Sequence, residues 1–151
     1  MNSRLPERHD KVHRMHLTIS HPINIASTPE LRSLSTAHPN LLLEGTETSI
    51  DDVLVQLKDH LGGRVIWRRH GAQLELPPDA VGTLILQDVP SLAADQQLQL
   101  LEWLNGAGQR TQVVSTSSQP LFELVERGLF DETLYYRLNV ILLRVDADLS
   151  I

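Results

Sequence analysis

The chain has 151 residues, which favours one domain, and its 41% hydrophobic and 21% charged residues are typical of a folded protein. Cysteine is absent, which excludes a disulfide scaffold, cysteine-ligated zinc, an iron–sulfur cluster and a thiol nucleophile. The net charge of -6 and the aromatic content of 4% argue against a nucleic-acid binder that depends on a basic surface or on base stacking.

The first residues of the chain are polar and rich in basic side chains. Residues 1–16 are predicted to be a flexible tail, and residues 17–151 are predicted to form the folded domain. His9, His13 and His16 have the spacing of one helical face and are weak candidates for a zinc or nickel site. A solvated tail explains them better, because no carboxylate is positioned to support metal-binding imidazoles.

No targeting or membrane segment is predicted from the sequence. The N-terminal residues lack the apolar core of a signal peptide. The longest apolar runs, Leu41–Leu43 and Val140–Leu143, fall far short of the roughly 20 residues that cross a bilayer. We therefore expect a cytoplasmic protein.

From residue 28 onward, amphipathic segments alternate with short apolar runs. Thr28 and Pro29 predict a helix start, and Ser49 is predicted to cap the next helix. The predicted helices cover residues 28–34, 49–61, 92–104, 120–126 and 132–138, and the predicted strands cover residues 40–44, 64–67, 83–86, 112–116 and 140–145. This alternation predicts an α/β domain with a five-stranded, mostly parallel sheet. Its ligand site is expected at the carboxyl ends of the strands, around residues 45–49, 87–88 and 117–118.

Several segments resemble the sigma-54-dependent, NtrC-like AAA+ transcription activators. GTLILQDV at residues 82–89 resembles the family's GTLFLDEI strand, and VVSTSSQPL at residues 113–121 resembles VIAATNRDL. FDETLYYRLNV at residues 130–140 resembles FREDLYYRLNV, the most specific of these stretches. Residues 27–32 and 92–104 resemble the family's S-P-x-M-R opening and its LPLDLQAKLLRVL helix. The resemblance, which covers residues 23–145, implies a three-layer P-loop core of the AAA+ type.

The resemblance also aligns LLLEGTETSIDD, residues 41–52, with the VLITGESGTGKE phosphate-binding loop. A P-loop needs glycines that let backbone N–H groups surround the phosphates, and a lysine that reaches them. Gly45, Thr46 and Ser49 occupy loop positions, but Asp51 stands where the lysine belongs. Because residues 44–57 contain no lysine or arginine, we expect no binding of ATP.

The other catalytic positions that the resemblance implies are altered as well. The Asp-Glu pair that positions magnesium and water in the family reads Gln87-Asp88, and the sensor asparagine reads Ser118. Of the two arginines that act across subunits, the first reads Asp131 and the second is kept as Arg137. These positions are predicted to be vestiges of a nucleotide site. Neither ATP nor magnesium is expected as a cofactor. Arg137 is then expected to pair with a carboxylate or to face a subunit.

Three elements of the family are expected to be missing from this chain. Residues 68–81 replace the long insertion with the GAFTGA loop that contacts the sigma factor, and neither a helical lid nor a helix-turn-helix follows the last strand. We therefore expect an inactive regulatory module that binds a protein, such as a related activator, or a second copy of itself. Its predicted interface includes Arg137, Tyr135 and Tyr136.

Two alternatives stay open. One is a transcriptional regulator that binds ATP through an atypical site. The other is a nucleic-acid-binding regulator that uses the basic residues of segments 1–16 and 64–70, against which the net charge of -6 argues.

Overall fold

The computed structural model describes residues 15–20, 37–69, 73–79 and 81–146. Within them, parallel strands form one six-stranded sheet in the order β1-β6-β2-β5-β4-β3. The strands are β1 Met15–Ser20, β2 Leu41–Glu44, β3 Val65–Arg69, β4 Thr83–Gln87, β5 Gln112–Ser117 and β6 Ile141–Asp146. The helices are α1 Glu47–Leu57, α2 Ala94–Leu104, α3 Leu121–Glu126 and α4 Glu132–Leu138, with 3-10 turns at Lys58–His60 and Val89–Ser91.

The sheet has one strand more than the five predicted. The additional strand, β1, pairs with β6 at one edge of the sheet, where Met15 lies opposite Ile141. Met15 and His16, assigned above to the polar tail, are therefore part of the sheet. Apolar and polar residues alternate along β1, as expected of a strand with one buried face, but the basic residues before it obscure this short pattern. The helix predicted at residues 28–34 lies outside the described residues.

Helices cover both faces of the sheet, as they must when every strand is parallel. On one face, α1 packs over Leu41, Leu43 and Val114. On the other, α2, α3 and α4 pack over a second core cluster that includes Leu42 and Leu84. The two clusters alternate residue by residue along β2, because successive side chains of a strand point to opposite faces. The sheet thus forms the middle of the three layers that the resemblance implies.

α2 buries a different set of leucines from the one predicted. In the helix predicted at residues 92–104, the spacing of Leu92, Leu98, Leu101 and Leu104 predicts one apolar stripe. The structure instead leaves Leu98 57% exposed and buries Leu100 completely. Two glutamines, Gln96 and Gln97, are buried on the same helix. The longest helices, α1 and α2, have 11 residues, and within the described ranges no helix is long and apolar enough to cross a membrane.

Candidate functional site

The connection between β2 and α1 lies at the carboxyl edge of the sheet, where the sequence predicts a ligand site. β2 ends at Glu44 and α1 begins at Glu47, so only Gly45 and Thr46 connect them. The Oγ1 of Thr46 accepts the N–H of Ser49 at 3.2 Å and caps the helix. The prediction that Ser49 is the cap is therefore wrong by one turn, because Ser49 lies inside the helix and donates to the true cap.

This early helix start changes what the aligned P-loop segment can do. In a P-loop, an extended glycine-rich loop presents free backbone N–H groups to the phosphates before the helix begins. Here the N–H of Ile50, which aligns with the third glycine of the VLITGESGTGKE loop, donates to the Thr46 carbonyl at 2.9 Å. Asp51, at the lysine position, is exposed on the helix. The segment therefore forms a capped helix in place of a phosphate-binding loop.

Gly45, the first glycine of the aligned loop, is required by packing against β6. A Cβ at this position would lie 2.7 Å from the carbonyl oxygen of Val145. The Gly45 N–H also donates to the Ser117 carbonyl at 3.1 Å, which holds the turn against β5. Close contact between neighbouring strands is thus sufficient to explain the glycine without a bound phosphate.

Beside this turn is a cleft of about 230 Å³. Its lining residues come from α1 and from the ends of β4 and β5: Glu47, Ile50, Asp51, Gln87, Asp88, Thr116 and Ser118. Of the predicted nucleotide-site residues, the structure thus brings four together in this cleft: Asp51, Gln87, Asp88 and Ser118. Three of the lining residues are acidic, and the described residues contribute neither lysine nor arginine to the lining. Like charges about 4 Å apart cost about 4 kcal/mol at an effective dielectric constant of 20, so the charge of this lining is unfavourable for an anion.

Asp88, the remaining carboxylate of the aligned magnesium pair, occupies a left-handed backbone conformation with φ 63° and ψ 53°. Its N–H donates to the Thr116 Oγ1 at 2.8 Å, and its Oδ2 accepts the Ser91 hydroxyl at 2.7 Å. Asp88 therefore helps to turn the chain into the 3-10 segment that follows β4. Its neighbour Gln87 offers a neutral amide, a weaker magnesium ligand than a carboxylate. In the described part of the chain, no three His, Cys, Asp or Glu residues are placed to hold a metal ion.

Glu44, at the last position of β2, was not identified from the sequence as part of this edge. Its side chain is 4% exposed and its Oε1 accepts the Arg144 guanidinium of β6 at 3.1 Å. Its Oε2 accepts the N–H of Leu121, the first residue of α3, at 2.9 Å. One buried carboxylate thus connects β2, β6 and α3. In the sequence, Glu44 could have been noticed as a charged residue at the end of the apolar run Leu41–Leu43.

Arg137 lies at the opposite edge of the sheet, near the amino ends of the strands. Its Nη2 donates to the Leu104 carbonyl at 3.1 Å and its Nη1 donates to the side-chain oxygen of Asn105. Its described side-chain partners are thus a carbonyl and an amide at the end of α2, whereas the sequence predicts either a carboxylate partner or a position facing another subunit. A cation is stabilising at the C-terminus of a helix. Arg137 also lines a cavity of about 570 Å³ that is separate from the acidic cleft.

The two adjacent tyrosines of α4 differ in exposure. Tyr135 is buried, its ring centre lies 5.3 Å from that of Phe122, and its hydroxyl accepts the side-chain amide of Asn139 at 2.9 Å. Tyr136 is half-buried beside it, with the ring centres 5.1 Å apart. Tyr135 therefore packs in the core, where it is not available to the interface to which the sequence analysis assigned it.

The histidine candidates are not brought together in the described structure. His9 and His13 lie outside the described residues. His16 is a backbone member of β1, paired with Leu142 of β6.

Known proteins with related sequences carry the names of regulatory proteins. The chain is 35% identical over 83 residues to the pathogenicity locus probable regulatory protein HrpR of Pseudomonas syringae pv. syringae, covering 48% of this chain and 26% of the relative. It is 28% identical over 132 residues to the HTH-type transcriptional regulatory protein TyrR of Enterobacter agglomerans, covering 80% of this chain and 25% of the relative. The chain thus spans about a quarter of the length of these relatives.

Solved structures share the fold and a family model matches the sequence. NtrX from Brucella abortus in complex with ATP superposes with a TM-score of 0.57 at 16% identity, over 92% of this chain and 38% of NtrX. The P-loop NTPase domain of a sigma-54 transport activator from E. coli gives 0.53 at 19% identity, over 72% and 97% of the two chains. The family model described as the sigma-54 interaction domain matches residues 70–147, slightly more than half of the chain. Because this family model covers more than half of the chain, the chain belongs to the family of sigma-54 interaction domains.

Proposed function

We propose that this protein is a regulatory module of the sigma-54 activator type that binds another protein and does not hydrolyse ATP. The observation that carries the proposal is the start of α1 at Glu47, directly after the Gly45-Thr46 turn. The backbone N–H groups of Ser49 and Ile50 are bonded to Thr46, so they cannot surround a phosphate.

The rest of the cleft supports the same proposal. Asp51 adds negative charge where a P-loop supplies a lysine, and Gln87 offers an amide where magnesium prefers a carboxylate. Phosphoryl transfer depends almost entirely on positioning and on neutralising charge. The described lining of this cleft contains neither lysine nor arginine to neutralise that charge.

A regulatory role is supported by the relatives, whose names describe regulatory and transcriptional regulatory proteins. We infer a role in transcription control in the cytoplasm, through a complex with a related activator or another regulatory protein. A second copy of this chain is also a candidate partner. Nothing in the net charge of -6 favours DNA as the direct partner.

Calorimetry with ATP, ADP and GTP in the presence of magnesium tests the first half of the proposal. We expect no binding tighter than about 100 μM. The cleft itself favours one competing function, a nucleotide-binding regulator. Saturable binding that Asp88→Asn abolishes would establish that alternative and overturn the proposal.

Co-purification from the native host tests the second half. The chain should retain a transcription regulator or a second copy of itself equally with and without added nucleotide. Reconstitution from the two purified proteins then gives the affinity. A complex that forms only with nucleotide, or the failure of any regulator to bind after reconstitution, would contradict the proposal.

A further inference from the structure

An apolar groove runs between α2 and the turn that joins α3 to α4. Among the residues that the structure describes, it shares no lining residue with the acidic cleft. Its volume is about 250 Å³. Leu98 of α2 forms one wall and is 57% exposed, and Leu129 of the turn forms the other and is 58% exposed. Two large leucines exposed side by side mark a surface suited to contact with a protein.

Gln97 fixes the separation of the two walls from beneath. Its buried side-chain Nε2 donates to the carbonyl oxygens of Leu92 at 3.0 Å and Leu129 at 3.1 Å. Its Oε1 accepts the N–H of Asp131 at 2.8 Å. The bonds to Leu129 and Asp131 tie α2 to the turn. Binding in the groove therefore requires little rearrangement of the backbone.

The conformation of the turn explains why Leu129 points outward. Gly128 has φ +75°, a left-handed value that favours glycine, and no atom lies within 4 Å of the position of its missing Cβ. Of the next two residues, Leu129 is largely exposed, whereas Phe130 is buried in the core with 3% exposure. The turn is anchored by the phenylalanine and presents the leucine.

The rim of the groove is predominantly acidic. Asp95 and Glu102 are exposed on α2 about one turn before and after Leu98, and therefore share its face. Asp131 and Glu132 are exposed at the start of α4 on the other side. Arg127 is the nearby basic side chain of the turn. An apolar centre between acidic rims complements a helix with a leucine stripe and basic flanks.

We propose that this groove binds a basic amphipathic helix of the protein partner. This inference rests on the proposed function and names the surface and the chemistry of the partner. The apolar stripe of the helix contacts Leu98 and Leu129, and its lysines or arginines face Asp95, Glu102 and Glu132. Apolar contact supplies most of the affinity, whereas the charges select the partner and speed its association.

A designed peptide tests the groove directly. We would titrate the full chain into a labelled peptide of about 14 residues, with leucines at helical i, i+3, i+4 and i+7 spacing and lysines elsewhere, and follow fluorescence anisotropy. We expect saturable binding that Leu98→Asp or Leu129→Asp weakens at least about tenfold, a loss of about 1.4 kcal/mol. The loss is informative because each variant adds a negative charge that would otherwise strengthen attraction to the lysines.

Val55→Asp is the matched control. Val55 is 70% exposed on α1, on the other face of the sheet, so this variant adds the same charge and removes a comparable apolar side chain away from the groove. It should bind the peptide like the original chain. The two leucine variants should fold, since more than half of each side chain is exposed, and circular dichroism melting checks each one.

Three results would overturn the groove proposal: no binding by the original chain, equal weakening by Val55→Asp, or equal binding of a peptide with glutamate in place of lysine. If a nucleotide-independent partner complex still forms in those cases, the proposed function stands and only its surface is wrong. Tight ATP binding together with Leu98-dependent peptide binding would overturn the proposed function and leave the groove proposal standing.

Discussion

Glu44 is the side chain on which the packing of three elements at the carboxyl edge depends. Its buried carboxylate binds the half-exposed Arg144 and the first N–H of α3. Removing the charge of a buried ion pair costs more than removing an exposed one, because the environment offers little water in compensation. Glu44→Gln keeps one oxygen that can accept the Leu121 N–H, but it removes the charge and replaces the other oxygen with an NH2 group that cannot accept from Arg144.

We expect Glu44→Gln to lower the free energy of unfolding by about 1–3 kcal/mol. Urea denaturation of Glu44→Gln, Arg144→Gln and the double variant measures the coupling between the two side chains. The double variant should lose less stability than the sum of the single losses. Strict additivity would show that the pair contributes nothing beyond packing.

Gly45 gives a second test at the same edge. Gly45→Ala places a methyl group 2.7 Å from the Val145 carbonyl oxygen, so β2 or β6 must shift. Such overpacking is expected to cost about 1–3 kcal/mol of folding free energy. Gly106→Ala is the control, since its nearest contact would be an ordinary 3.5 Å. Equal stability of the two variants would remove the packing explanation for Gly45.

The N-terminus of α1 is where helix formation replaces the phosphate-binding loop. Thr46→Ala removes the oxygen that accepts the Ser49 N–H and should destabilise the protein by about 1 kcal/mol. Thr46→Ser keeps that oxygen and should stay close to the original stability. Thermal denaturation followed by circular dichroism compares them. A loss of equal size in both variants would show that the threonine methyl, not the cap, matters.

The variant Asp51→Lys separates the effect of charge on ATP binding from the effect of the helical backbone of α1. The variant restores a cation at the aligned lysine position but leaves α1 helical, with the Ile50 N–H still bonded to Thr46. We expect calorimetry to show no ATP binding tighter than about 100 μM. Tight binding would mean that the acidic side chain alone, rather than the helical backbone, had removed the nucleotide site.

Much of the fold was predictable because β2, β3, β4 and β6 each contain three consecutive apolar residues, a pattern typical of buried parallel strands. α4 was predicted with its observed bounds, Glu132–Leu138. β1 was missed because a short alternating strand is a weak signal beside a basic segment. The Glu44–Arg144 pair could not be predicted, since the partners lie 100 positions apart and meet only because β6 pairs with β2.

The sequence predicted several of the residues that line the cleft. It did not predict the backbone conformation that positions them. Glu47, Asp51, Gln87 and Asp88 do line one cleft. The helix start was misplaced because Thr46 and Ser49 are both good caps, and only the two-residue turn decides between them. That shift of one turn determines whether N–H groups face a ligand or lie within a helix.

The whole sheet depends on β1 for the protection of one edge. β1 pairs along its full length with β6, whose apolar residues Ile141, Leu142 and Leu143 are buried. A chain without residues 1–20 would expose the backbone groups and apolar surface of β6, and unpaired edges of this kind associate with other chains. A chain without residues 1–14 keeps β1 whole and is the control for shortening.

We expect removal of residues 1–20 to lower the denaturation midpoint relative to removal of residues 1–14, because six paired positions are lost. We also expect concentration-dependent self-association, because the β6 edge is open. Urea denaturation and light scattering coupled to size-exclusion chromatography measure the two effects. If the two shortened chains are equally stable and equally monomeric, β1 contributes nothing to the sheet, and the five predicted strands are sufficient for the fold.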